Sequence, residues 1–306
     1  MRLLGIVRAA LVAVLLCAAC SPQALRSTSS PVQGAAGKGR PSQGTRNSVN
    51  APHKVVDGLS AHRPIGGVAL VVTRDVTGTP TTATLRIDQR LLQIAWHPGS
   101  HVPGGGGWPL QDQLAGVELQ TVVATFNGGF TDAASRGGMR AGSRTEGTLR
   151  TGAASFVIDR TGRADIVQWG RDRVPADTVV VRQNLDLLID GGRAAATVGQ
   201  DDTVVWGRGL HHRHATWRTA AGITRSGDLV IVLASDATTR QLAQDELHAG
   251  AVRAMELDIN PQFSCLLTYT HTGSITTAHN VLPQQQGSPM RYLRPSRRDF
   301  FSIRPR

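Results

Sequence analysis

The feature that most constrains this chain is its rhythm. From residue 68 onward, short runs rich in Val, Ile, Leu and Thr recur, separated by Gly, Asp, Pro and Ser. Apolar, β-branched runs bounded by turn formers read as strands. The runs at 68–73, 82–87, 91–96, 122–126, 154–158, 166–169, 178–181 and 185–189 have this character. Those at 218–224 and 229–234 flank Arg225-Ser-Gly-Asp228, the composition of a hairpin turn, and 252–257 and 264–270 follow. Only 239–249 carries helical spacing. Its Leu242, Ala243 and Leu247 share a face, Asp236 or Thr238 can cap it, and Gly250 can end it. Many strands with one helix predict an α+β fold, a largely antiparallel mixed sheet wrapped around one central helix.

Two stretches break the rhythm. Pro103-Gly-Gly-Gly-Gly-Trp108 can only be loop. Residues 131–152, rich in Gly, Arg, Ser and Thr, predict a long loop on the active face.

The amino-terminal part has a different character. Arg2 and Arg8 supply positive charge around an apolar stretch, 9–19, that is too short to span a bilayer as a stable helix. With Ala18 and Ala19 behind it, residues 1–20 read as a secretory signal peptide. Leu16-Cys17-Ala18-Ala19-Cys20 resembles a bacterial lipobox, in which the Cys thiol receives a diacylglycerol, although Cys17 stands where Leu is usual. Cys17-Ala18-Ala19 also suits ordinary signal peptidase, so a lipid anchor at Cys20 and soluble secretion both stay open. Residues 21–54, rich in Ser, Pro, Gln and Gly, have too little apolar surface to offset ordering entropy and predict a disordered tether. A folded domain over 55–290 and a basic tail over 291–306 complete the expected organisation. After export only Cys20 and Cys265 remain, so no disulfide framework is expected.

The formal charge of +11 invites a nucleic-acid reading, but its distribution argues against one. The signal holds +2, residues 21–54 hold +5 and residues 291–306 hold +5, which leaves 55–290 at −1. Basic ends beside a membrane anchor could touch anionic lipid or other envelope polyanions, or simply be solvated.

The common hydrolase signatures are missing: there is no G-x-S-x-G elbow, no H-E-x-x-H and no P-loop. His211-His212-Arg213-His214 and Asp201-Asp202 are weak metal signals, and no metal or cofactor is expected. Cys265 lies inside a strand pattern and reads as a small buried hydrophobe. Three places instead put polar residues at the ends of apolar strands, where loops often carry function. Asn127-Gly128-Gly129 offers an amide and two glycines whose backbone N–H groups can approach a ligand. Arg218 and Thr219 offer a guanidinium fork for phosphate and a hydroxyl. Glu256 and Asp258 fall on alternating residues, which in a strand would face the same way, with Asn260 just beyond. A structural ion pair between Arg218 and Asp258 is the competing reading.

Taken together these segments resemble the phosphodiester glycosidase family. Ala124-Thr-Phe-Asn-Gly-Gly-Phe130 is similar to its Asn-Gly-Gly-Phe-Phe segment, and Leu187-Leu-Ile-Asp-Gly191 to its Leu-(Leu/Ile/Val)-x-Asp-Gly. Arg218-Thr-Ala-Ala-Gly222 is similar to its Arg-Thr-Ala-x-Gly strand, and Ala254-Met-Glu-Leu-Asp258 to its Ala-x-Asn-Leu-Asp. The resemblance spans about residues 65–275. Two departures stand out: Leu257-Asp-Ile-Asn-Pro-Gln262 replaces Leu-Asp-Gly-Gly-Gly-Ser, and Glu256 replaces Asn.

The resemblance implies hydrolysis of a sugar-1-phosphodiester, with water attacking the anomeric carbon and a phosphomonoester leaving. Asp258, Glu256, Arg218 and Asn127 become the expected catalytic residues. Arg218 would take the phosphate, Asp258 would serve the anomeric centre, and Glu256 would be a second carboxylate. Gly128, Gly129, Thr219 and Asn260 become the expected substrate contacts. The expected partners are a sugar-phosphate or envelope glycan and, through Cys20, the outer face of the membrane. The altered loop after Asp258 keeps open a non-catalytic protein that binds envelope glycan or sugar phosphate.

Overall fold

Leu229-Val-Ile-Val-Leu-Ala234 is apolar at every position, the pattern of a strand buried on both faces. In the computed structural model, which describes residues 54–56, 66–199, 203–207 and 214–306, that strand lies inside an eight-stranded sheet. The signal segment, Cys20, residues 21–53, Asp201, Asp202, His211 and His212 lie outside the described residues.

In chain order the strands are β1 (Lys54–Val56), β2 (Val68–Arg74), β3 (Pro80–Ile87), β4 (Leu92–His97), β5 (Ala124–Asn127) and β6 (Met139–Ala141). Then come β7 (Arg144–Glu146), β8 (Ala154–Asp159), β9 (Ala164–Gln168), β10 (Thr178–Gln183), β11 (Leu187–Asp190) and β12 (Arg193–Ala194). The last are β13 (Thr216–Thr224), β14 (Leu229–Ala237), β15 (Ala251–Glu256), β16 (Leu266–Thr272), β17 (Ile275–Asn280) and β18 (Phe300–Pro305). The helices are α1 (Gly116–Thr121), α2 (Asp132–Ser135), α3 (Thr203–Trp206) and α4 (Thr239–His248), with a 3-10 turn at Pro289–Leu293.

Three sheets result: β1-β2-β3-β14-β13-β15-β11-β12, β7-β6-β10-β8-β9 and β17-β16-β5-β18-β4. Every pair of named strands among the described residues is antiparallel. The eight-stranded sheet shows why its strands are continuously apolar. Leu229, Ile231 and Leu233 enter the main core with β3, β4, β5, β8 and β18 side chains, whereas Val230 and Val232 enter a second core with Leu242 and Ala243 of α4.

One sheet wrapped around a central helix therefore gives way to three antiparallel sheets, with α4 covering one face of the largest. The α4 boundary itself follows the capping chemistry. Thr238 Oγ1 accepts from Gln241 N at 3.3 Å, and Gln241 Oε1 accepts from Thr238 N at 2.8 Å, a reciprocal capping box.

The carboxy-terminal expectation is corrected. Residues 291–306 are not a loose basic tail: β18 sits between β5 and β4, and Phe300, Phe301 and Ile303 are fully buried. The alternating run Phe300-Phe-Ser-Ile-Arg is a strand pattern that the surrounding arginines obscure. Residues 131–152 are likewise not one loop, since they contain α2, β6 and β7.

Candidate active site

Three chain segments end at one place. β5 stops at Asn127 and passes into Gly128-Gly129; β15 stops at Glu256 and passes into Leu257-Asp258; residues 297–299 lead into β18. Backbone bonds tie them together, Asp258 N donating to Gly128 O at 3.0 Å and Gly128 N donating to Asp299 O at 2.9 Å. Gly128 has to be glycine here, because a Cβ would lie 2.2 Å from Asp299 Oδ2.

These ends form the floor of a cleft of about 480 Å³. Its lining includes Asn127, Gly128, Gly129 and Asp258, together with Phe263, Arg291, Arg297 and Arg298. The volume falls within the range of small-ligand sites.

Asp258 and Arg298 are the charged centre of the cleft. Arg298 Nη2 donates to Asp258 Oδ2 and, at 3.1 Å, to Gly129 O. Its guanidinium lies 4.6 Å from the Phe263 ring centroid, a cation–π contact that holds the fork in place. Burial pushes the Asp258 carboxyl above its ordinary value, while Arg298 opposes that rise. A second ion pair braces the floor. Arg182 Nε donates to Asp299 Oδ2 at 2.8 Å, Trp96 Nε1 donates to the same oxygen at 3.1 Å, and Arg182 Nη2 donates to Phe130 O at 2.6 Å. Asn184 joins the strand ends, donating to Glu256 O at 2.7 Å and accepting from Phe130 N at 3.0 Å.

The sequence-predicted residues divide. Asn127, Gly128, Gly129 and Asp258 meet in the cleft; Arg218, Thr219, Glu256 and Asn260 do not line it. Arg218 Nη1 donates to Glu256 Oε1 at 2.5 Å, and the guanidinium also donates to Ala237 O at 2.9 Å and His214 O at 3.1 Å. Both members of this pair are buried, and burial lifts Glu256 to about 7 despite Arg218.

The physical reason is strand parity. Glu256 lies two residues beyond Ala254 and opposite Ala220, both on the α4 face, so it points away from the cleft. Asp258 escapes that parity because β15 has ended at Glu256. The competing ion-pair reading therefore describes Arg218 correctly but with Glu256 as its partner.

Asn127 lines the cleft with its amide already committed: Nδ2 donates to Gly128 O and Oδ1 accepts from Cys265 N, each at 2.9 Å. Asn260 shapes the turn after Asp258, donating its N–H to Asp258 Oδ1 at 2.9 Å and accepting from Gln262 N at 3.0 Å. Cys265 is buried, and burial raises its thiol pKa. No group of three His, Cys, Asp or Glu able to hold a metal ion occurs among the described residues.

Arg298, Arg297, Arg291 and Phe263 escape sequence reasoning. The signal for the first was Asp299, the only acid among six arginines and the residue directly before the apolar run of β18.

A search of curated proteins finds no match. Among solved structures, the chain is similar to the catalytic domain of zebrafish N-acetylglucosamine-1-phosphodiester alpha-N-acetylglucosaminidase, auto-inhibited by its pro-peptide. The identity is 16%, the TM-score 0.48, and the match covers 84% of this chain and 89% of that one. It is also similar to a Synechocystis protein described as hypothetical, at 14% identity and TM-score 0.41, covering 84% of this chain and 64% of that one. The sequence profile described as phosphodiester glycosidase matches residues 120–258, the segment that holds Asn127, Gly128, Gly129 and Asp258. Residues 120–258 thus match the model of the phosphodiester glycosidase domain, that of a glycosidase-type hydrolase.

Proposed function

We propose that this protein is an exported hydrolase that cleaves a sugar-1-phosphodiester of the bacterial cell envelope. The observation that carries the reading is the Asp258–Arg298 pair at the floor of a cleft built on the family's own Asn-Gly-Gly and Leu-Asp segments. The signal-like residues 1–20, with Cys20 as lipid anchor or as the first residue of a soluble secreted protein, support placement outside the cytoplasm.

Arg298 replaces Arg218 as the phosphate cation. A guanidinium whose fork already faces a carboxylate can exchange it for a phosphate oxygen of similar geometry. That exchange leaves Asp258 without its main stabilising charge, and the carboxylate becomes more basic where water must be activated. Water then attacks the anomeric carbon, its proton passes to Asp258, and the C1–O bond breaks with its electron pair leaving on the phosphate. A phosphomonoester is a good leaving group, so a second carboxyl to protonate it is less needed than in ordinary glycosidases. Glu256, facing the other side of the sheet, is not required for this chemistry.

The test is incubation of the purified protein with a panel of sugar-1-phosphodiesters, with reducing sugar as the readout. Release of sugar by the wild type and not by Asp258→Asn supports the assignment; full-rate release by D258N ends it. One observation favours a binding protein instead. The turn after Asp258 is closed by its own Asn260 and has no glycine loop. Tight binding of these diesters without release of sugar would select that reading.

A further inference from the structure

The lining of the cleft carries more positive charge than one phosphodiester can use. Arg291, Arg297 and Arg298 line it against the carboxylates Asp258 and Asp299. Asp299 is matched from below by Arg182, and Asp258 is matched by Arg298. The Arg291 guanidinium meets neutral groups and no carboxylate in the described contacts: it donates to Gln262 O at 2.9 Å, Ser288 O at 3.2 Å and Gln286 O at 2.5 Å, with the Tyr292 hydroxyl and Cys265 thiol beside it. Arg297 is exposed, and its side chain has no hydrogen-bond or ion-pair partner among the described residues. Two cations of the cleft are therefore uncompensated. The Nε of Arg298, buried and without a hydrogen-bond partner, adds an unused donor beside them.

We infer that the cleft has a second anion subsite, centred on Arg297 and backed by the charge of Arg291, and that the natural ligand carries two anionic centres. Resting on the reading above, the substrate class becomes a sugar-1-phosphodiester whose other ester arm bears a further phosphate or carboxylate. The phosphodiester linkage occupies Arg298 and the second anion occupies Arg297. The Arg298 guanidinium is held by Asp258, Gly129 O and the Phe263 ring, and the Arg297 guanidinium by none of these, so the two groups serve two separate centres and not one. An exposed guanidinium selects charge strongly at low ionic strength and weakly at high, because salt screens it.

The test uses probes without sugar, so that the subsite is read independently of hydrolysis. Dimethyl phosphate carries one phosphodiester; 1,3-propanediol bis(methyl phosphate) carries two identical ones. Titrations of the full chain at low salt, followed by NMR, are expected to show at least tenfold tighter binding of the two-centre probe. Arg297→Ala is expected to reduce that preference to threefold or less, and Arg294→Ala, an exposed arginine outside the cleft, to leave it intact. Equal binding of the probes, binding of neither, survival of the preference in R297A, or equal loss of it in R294A would each overturn the subsite. The two readings fail separately. A hydrolase indifferent to the second charge keeps its function and loses the subsite. A protein that shows the preference but releases no sugar keeps the subsite and loses the hydrolysis.

Discussion

Asp258 and Arg298 meet across 40 residues of chain, Nη2 of the arginine donating to Oδ2 of the aspartate where β15 has ended and β18 has not begun. Each changes what the other can do. The carboxylate aims the guanidinium, and the guanidinium holds the carboxylate's pKa below what burial alone would give. Asp258→Asn is expected to lower kcat for sugar-1-phosphodiester hydrolysis by about 100-fold or more, the usual scale for loss of a general base. Arg298→Ala is expected to raise KM as well, since phosphate binding precedes the transition state. Steady-state kinetics on the two variants separate these effects.

The same pair predicts a pH profile. Burial raises the Asp258 pKa above 3.8 and the base acts when ionised, so kcat/KM rises with pH through a midpoint above that value. Removing Arg298 removes the contribution that lowers the pKa, and the midpoint in R298A is expected to move upward. An unmoved midpoint in R298A would show that the titrating group is not Asp258.

Arg218 and Glu256 form a buried ion pair in this structure. Arg218→Ala leaves Glu256 buried and unpaired and is expected to cost about 3–5 kcal/mol, the scale for breaking a buried pair from one side. Urea denaturation measures the loss, and the folded fraction is expected to keep kcat within a few-fold. A collapse of kcat in a fully folded Glu256→Gln protein would return Glu256 to the catalytic set.

Phe301 tests the placement of β18. Its ring stacks on Phe126 with centroids 4.9 Å apart and is fully buried, so Phe301→Ala is expected to destabilise by about 3–5 kcal/mol. A solvated tail would leave stability unchanged, and thermal unfolding distinguishes the two outcomes.

Glu246 gives stability its own pH dependence. It lies on the buried face of α4 with no exposed surface, and a Cβ on Gly222 would come within 2.2 Å of its Oε2. Burial raises its pKa well above 4.5, with Asp245 adding to the rise, so the folded state keeps the proton after the unfolded chain has lost it. Stability therefore falls as pH climbs from about 4 through the raised folded value. Glu246→Gln is expected to remove that slope and gain on the order of 1–3 kcal/mol near neutral pH. Parallel denaturation curves for wild type and variant at every pH would contradict it.

Much of the strand content could be read from the sequence because local chemistry decides it. The β13–β14 hairpin, the apolar run of β14 and the capping box of α4 depend on residues a few positions apart. Asp258 could be read as well, as a polar residue closing an apolar strand. Glu256 could not be placed, because its direction depends on where β15 stops, and one residue at that boundary decides whether alternation still applies. Arg298 was hidden for a different reason. Its neighbours Arg294 and Arg297 look like those of a solvated end, and only long-range pairing of Phe300 and Phe301 with β4 and β5 shows that the segment is interior.

The position of β18 also sets an order of events. Trp96 and Asp299, joined at the floor of the cleft, stand 203 residues apart, and β4 and β5 stay separated by one strand's width until β18 is available. Contacts this distant in sequence form slowly, because a large loop must close before any reward is gained. A nascent or clipped chain would hold Asp258 without its cation and would expose two unpaired strand edges. Synthesis of β18 thus completes the sheet and brings Arg298 to Asp258 in one step, and a protein interrupted before that point lacks both.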